Sequence, residues 1–338
     1  MAKNTLVQSN STQTNDRLVD KLLLHYRAKG FPYYTFSLEE KQRQLSQLIN
    51  YPHSDIIVDG DILQKMHGLP LAWSYFPHSW SVQCGSMKSP MQIFESDVDL
   101  RKAILKRLKY GTGTITDAAI RKAVRSFSGA QGVSNFRPTA AAAIYHHFLP
   151  SNGGRVWDMS AGYGGRLLGA ITCHHVSHYT GTDPCSDTIS GLQGMARELG
   201  RDKLQIELLS LGSETFRPER NSLHACVSSP PYFLTERYSD EPTQSYLKFP
   251  DKETWLHGFL GSTLDNCWYG LKADGHLIIN IANVKSYPTL ERDFVEMACS
   301  RGWKLQCTLR YALSKMMGTR KPGDAPFKYE PVFVFGKR

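Results

Sequence analysis

Residues 155–166 read RVWDMSAGYGGR. A short apolar run ends on an acid, Asp158, and glycines follow at Gly162, Gly164 and Gly165. The next residues, RLLGAITC, carry a helical pattern. Glycine permits positive φ and close backbone approach, so the stretch predicts strand, tight turn, helix. The same grammar recurs downstream. Apolar runs appear as YTGTD (179–183), LQIELLSL (204–211), HACVSS (224–229), GHLIINIANV (275–284), WKLQCTLRYAL (303–313) and PVFVFGK (331–337). Helical patterns separate most of them, at 165–173, 187–199, 252–270 and 289–300. Strands alternating with helices predict an α/β fold, a doubly wound Rossmann-like sheet of seven strands. No helical pattern separates the last two runs, so they are expected to pair antiparallel.

The chain has 338 residues, 41% hydrophobic and 21% charged, which suits a globular protein of two domains. Its net charge of +9 favours a polyanionic partner, nucleic acid first. The seven cysteines are scattered with no CxxC pair, and no signal peptide or long apolar run is seen. A reducing cytoplasm, with no membrane partner, is expected. Residues 1–16 are polar and aperiodic and read as a loose tail. Residues 17–130 read as a mainly helical accessory region, and 131–338 as the sheet domain. Within the accessory region, Ser37 and Glu40 form a capping-box pattern. Leu100, Ile104, Leu105 and Leu108 stripe one helix, and residues 114–127 predict another. These two helices carry Arg101, Lys102, Lys106, Arg107, Lys109, Arg121, Lys122 and Arg125 with few nearby acids, a candidate phosphate-binding face. Lys315, Arg320, Lys321 and Lys328, between the last two strands, read as a mobile basic loop near the substrate.

In an open α/β sheet, ligands bind beyond the carboxyl ends of the strands. Asp158 and Asp183 end the first two strands there. An acid at the second position can accept hydrogen bonds from both ribose hydroxyls. The glycine spacing is GxGG followed by Arg166, not the GxGxxG that holds a dinucleotide pyrophosphate. An acid at the mouth of the loop suits a cationic ligand, such as an ammonium or a sulfonium. The fourth strand runs into VSSPPYF (227–233). Two prolines stiffen the backbone and remove amide donors, so Ser229 and the Pro230 carbonyl stand on an extended, rigid turn.

DMSAGYGGRLLGA, GTDP and SPPYF, in that order, resemble the AdoMet-dependent amino-methyltransferases of DNA. NFRPTAAAAIYHHFLP, just upstream, is similar to the segment with which that family completes its cofactor pocket. The resemblance covers roughly the last 200 residues. It implies S-adenosylmethionine (AdoMet) as cofactor and DNA as partner. Asp158 and Gly162 would hold its methionine part, Asp183 its ribose, and Glu214 would lie near adenine, with Ser160 and Gly164 also among the cofactor-binding residues. Phe136 and Pro138 would pack on its other side. The catalytic tetrad would be Ser229, Pro230, Pro231 and Tyr232, with Phe233 as a further wall against the base. SPPY leans to cytosine N4, whereas Asp or Asn in the first place leans to adenine N6. No large target-recognition insertion is seen, which leaves room for an orphan or phage-type enzyme as well as one paired with a restriction nuclease.

The chemistry expected of the tetrad is electrostatic. An exocyclic amine is a poor nucleophile because its lone pair is delocalised. Fixed acceptors for its N–H groups, here the Ser229 hydroxyl and the Pro230 carbonyl, favour a pyramidal nitrogen. Tyr232 offers a stacking face, and a duplex base must first be flipped out. No metal is required. Cys185 after Pro184 is the one residue resembling a cytosine-C5 nucleophile, but it sits where ribose is expected. CHHVSH (173–178) has poor spacing for zinc. The polar connection 236–255, with Tyr238, Tyr246 and Phe249, reads as a lid over the flipped base or as simple packing. An RNA methyltransferase for guanine N2 or adenine N6, a protein glutamine methyltransferase, and a catalytically silent DNA-binding protein are the competing functions.

Overall fold

The computed structural model describes residues 3–110, 115–315 and 327–337, with side chains from residue 16 onward except those at 110, 314 and 315. The chain divides into two compact units. One comprises residues up to Thr35 together with Pro77–Ser134; the other comprises Phe36–Phe76 and Asn135 onward.

The second unit is built on the seven anticipated strands: β1 Gly154–Asp158, β2 Val176–Thr182, β3 Gln205–Leu209, β4 Leu223–Ser228, β5 Leu271–Asn280, β6 Trp303–Lys315 and β7 Phe327–Lys337. Their order across the sheet is β6-β7-β5-β4-β1-β2-β3. Strands β1 to β5 run parallel where they pair, and β7 lies antiparallel between β5 and β6. The fold is therefore the doubly wound α/β class, with the antiparallel element at its end. A short hairpin, Ile57–Val58 with Asp61–Ile62, extends the β6 edge. Phe36–Phe76, expected in the N-terminal accessory region, group with the sheet unit.

Alternation along the strands sorts the core. Trp157, Cys226, Leu277, Phe333 and Phe335 face one side, where they bury against α4 (Ser262–Gly270) and α5 (Leu290–Ser300). The other side takes α1 (Pro138–Phe148), α2 (Gly165–Thr172) and α3 (Ser186–Leu199). Small residues let α1 and α2 approach closely: a Cβ on Gly169 would stand 2.6 Å from that of Ala141. Ahead of α4, Trp255–Gly261 forms a π-helical turn.

The first unit is helical. Lys3–Lys29, Pro90–Glu95, Asp97–Tyr110 and Asp117–Arg125 enclose Val19, Tyr26, Phe94, Leu100, Ile104 and Ile120. The expected tail at 1–16 is, from Lys3, the start of the first of these helices, continuous with the amphipathic turns after residue 16. The capping box sits in the other unit and closes as anticipated. Ser37 N–H donates to Glu40 at 2.8 Å, and Glu40 N–H to Ser37 Oγ at 3.2 Å. Among the described residues no helix is long and apolar enough to cross a membrane.

Candidate functional site

Sheet register gathers the site. Asp158 pairs with Gly181 on β2 and Val227 on β4, so the loops leaving β1, β2 and β4 share one edge. The strand order reverses between β1 and β4, the switch point where such sheets open a crevice. In the loop after β1, Gly162 and Gly164 take positive φ, 55° and 72°. Gly165 starts α2 so near Phe136 that a Cβ would stand 1.7 Å from that residue's carbonyl oxygen. Asn135 Nδ2 donates to Tyr163 O at 2.8 Å and pins the loop from below.

Asp183 clamps the two loops. Its Oδ2 accepts from Gly162 N–H and its Oδ1 from Cys185 N–H, each at 3.0 Å. Burial raises its pKa to about 6, opposed by those two bonds. It remains partly open to solvent, where a diol could reach it.

Asp158 departs from expectation. It is wholly buried, and Arg166 Nε donates to its two oxygens at 3.0 and 2.9 Å. Tyr179 OH donates to Oδ2 at 2.6 Å, and the Arg166 guanidinium also reaches Ser160 O. Asp158 thus shapes the turn from inside rather than presenting a free carboxylate. Phe136 lies parallel to Tyr311, with ring centres 4.8 Å apart, and under the Arg166 guanidinium. Pro138 is buried in the first turn of α1, where its fixed φ suits helix initiation. Glu214 is held by Lys248 with its side chain 7% exposed. Lys248 belongs to the 236–255 connection, whose Glu241 also accepts from Ser186 N–H at 3.2 Å. The connection therefore docks on the exits of β2 and β3.

At the end of β4, Ser229 and Tyr232 are half-buried and Pro230 is buried. Phe233 is not a substrate wall. It is 4% exposed and packs edge-on against Trp255 and Tyr287. Its φ of 56° is a left-handed conformation unusual for a bulky residue, closing a turn in which Thr235 N–H donates to Tyr232 O at 3.1 Å. Such strain persists only where surrounding packing enforces it.

Three residues that sequence reading missed surround the tetrad. Asn280 Oδ1 lies 3.4 Å from Ser229 Oγ. Glu330 Oε2 accepts from Tyr232 OH at 3.3 Å and from Asn280 Nδ2 at 3.4 Å. Glu236 Oε2 accepts from Tyr232 N–H at 3.3 Å. Burial pushes the Glu236 carboxyl up to about 7 and raises that of Glu330 as well. A small, mostly apolar cavity is lined by Ser160, Ser228 and Pro230 together with the core residues Phe259, Leu264 and Phe294. Ser228 Oγ, buried without a hydrogen-bond partner, belongs to this lining.

The Cys185 thiol is buried, and burial raises its pKa, the opposite of an activated nucleophile. Among the described residues no group of three or more His, Cys, Asp or Glu side chains could hold a metal ion. In the first unit, Arg101 pairs with Asp16 at 3.3 Å and with Asp20. Arg121 donates to Pro32 O at 2.7 Å and lies over Tyr34, while Arg125 donates to Val133 O. These three arginines serve the helical unit's own packing. Lys102, Lys106 and Lys122 are exposed, and Arg107 is half-buried. Arg320 and Lys321 lie outside the described residues.

No family model matches the chain, and no curated protein matches it. Solved structures do. The magnesium protoporphyrin IX methyltransferase (ChlM) of Synechocystis PCC 6803 with bound SAM is 13% identical, over 72% of this chain and 92% of that one, at a TM-score of 0.39. A SAM-dependent methyltransferase of Methanosarcina mazei is 14% identical over 57% and 96%, at 0.38. An rRNA methylase of Streptococcus thermophilus is 15% identical over 61% and 99%, at 0.37.

Proposed function

We propose that the chain transfers a methyl group from AdoMet to the exocyclic amino group of a DNA base, cytosine N4 first. The observation that carries this is the meeting, at one sheet edge, of the Asp183–Gly162 clamp and the Ser229–Tyr232 turn on strands either side of the switch point. When bound, the sulfonium supplies an electrophilic methyl and needs no covalent enzyme intermediate.

The residues divide the work. Asp183 receives the ribose hydroxyls, and the glycine turn admits the methionine part close to the backbone of β1. Ser229 Oγ and the Pro230 carbonyl accept the two N–H bonds of the target amine as its nitrogen becomes pyramidal. Tyr232, its phenol held by Glu330, stacks on the flipped base, worth about 1–3 kcal/mol. Productive geometry brings amine and methyl to about 3–3.5 Å.

The test is label transfer. Purified protein is incubated with AdoMet carrying a labelled methyl and with unmodified DNA, RNA and protein in parallel. N4-methylcytosine in DNA is expected, and Ser229→Ala or Tyr232→Ala should each slow its formation, the former by about 10²-fold. Label on RNA or protein alone, or on nothing, overturns the proposal.

A further inference from the structure

Resting on that reading of the tetrad, the hydrogen bonds behind it carry one more step. Asn280, the last residue of β5, is 3% exposed. Its amide orientation is fixed by its neighbours. Nδ2 faces the Pro331 carbonyl at 3.0 Å and Glu330 Oε2 at 3.4 Å, both acceptors. A flipped amide would set its oxygen against both. Oδ1 must therefore face Ser229 Oγ, 3.4 Å away, and as a pure acceptor it takes the hydroxyl proton. Ser229 has one proton, and its acceptors in the structure are Asn280 Oδ1 and the Tyr232 phenol oxygen. Only lone pairs remain to face the substrate.

We infer that Asn280 and Glu330 are positioning residues that make Ser229 a one-way acceptor, so that the site takes a base bearing an amino group and rejects its keto counterpart. An amine N–H finds a lone pair there. A uracil or thymine O4 finds only another lone pair, and a buried polar group left unpaired is strongly disfavoured. Glu330 adds the second link. The oxygen that accepts from Asn280 also accepts from Tyr232 OH, so one carboxylate couples hydroxyl polarity to the pose of the stacking ring.

A polarity swap tests this. Asn280→Leu should lower kcat by about 10²-fold, the loss typical of one pre-aligned polar group, with KM for DNA and AdoMet affinity unchanged and a lower melting temperature, because Pro331 O and Glu330 lose a donor. Asn280→Asp should also be slow, because the new carboxylate cannot donate to Pro331 O and opposes Glu330. Combining it with Glu330→Gln should restore part of kcat: the new amide donates to the new carboxylate, which still accepts from Ser229, while Pro331 O stays without a donor. Full kcat in Asn280→Leu, a double variant as slow as Asn280→Asp, or a loss that follows AdoMet affinity would each overturn the inference. Wild-type protein that labels RNA or protein instead refutes DNA as substrate, and the same swap is then measured on that acceptor. Wild-type protein that labels nothing refutes both.

Discussion

Asp183 Oδ2 sits 3.0 Å from Gly162 N, so the acid ending β2 holds open the glycine turn that follows β1. One carboxylate thereby serves two roles: it fixes the loop and offers its remaining lone pairs to a diol. Its pKa is raised to about 6 by burial, against an ordinary 3.8. The sign follows from which state binds the proton more tightly. Between about pH 4 and 6 the folded protein holds a proton that the unfolded chain has lost, so this group's contribution to stability weakens as pH rises through that window and is constant above it. Ligand binding runs the other way. In the proposed role the ionised form would accept both ribose hydroxyls, so AdoMet affinity should fall as pH drops below about 6. Calorimetry between pH 5 and 8 should show that step in wild type and a flat profile in Asp183→Asn, whose affinity should be on the order of 10-fold lower at neutral pH. A step that survives Asp183→Asn would assign it to another group.

The Arg166–Asp158 pair is buried on both sides, with side chains 5% and 0% exposed. Removing one partner strands the other charge. Arg166→Met should cost on the order of 3–5 kcal/mol in urea unfolding and should loosen the glycine turn, since Arg166 also holds Ser160 O. Replacing the whole set with Asp158→Leu, Arg166→Met and Tyr179→Phe strands no charge, leaves Ser160 O without its Arg166 donor, and should recover much of that loss. A single variant as stable as wild type would show that the pair is not what shapes the loop.

What sequence reveals here is local. The seven strands, the glycine turn, Asp183 and the SPPY turn are each written in a few consecutive residues, through apolar runs, positive-φ glycines and paired prolines. Asn280 and Glu330 are not. Asn280 is one polar residue inside LIINIA, and Glu330 follows a basic stretch. They meet only because β7 inserts beside β5, pairing Val332 with Asn280, and no local pattern encodes that order. Phe233 was misassigned for a related reason. Its left-handed φ of 56° turns the ring into the core beside Trp255, and a bulky residue carries no signal for such a turn. Asp158 shows the converse. An acid at a strand end looks free until Arg166 and Tyr179 fold onto it.

The basic residues of the helical unit divide by what they already hold, and that division is measurable. Lys102, Lys106 and Lys122 are exposed, whereas Arg101 and Arg121 are engaged by Asp16, Asp20, Pro32 and Tyr34. If the lysines meet phosphates, each releases roughly 0.9 counterions from duplex DNA. Replacing all three with Gln should flatten the slope of log affinity against log salt by about 3 and weaken binding to every sequence alike. Arg101→Gln with Arg121→Gln should instead lower the melting temperature and leave that slope nearly unchanged. The opposite pattern, with the arginines setting the salt slope and the lysines not, would mean that the internal ion pairs open on binding and that the exposed lysine face is ordinary solvated surface.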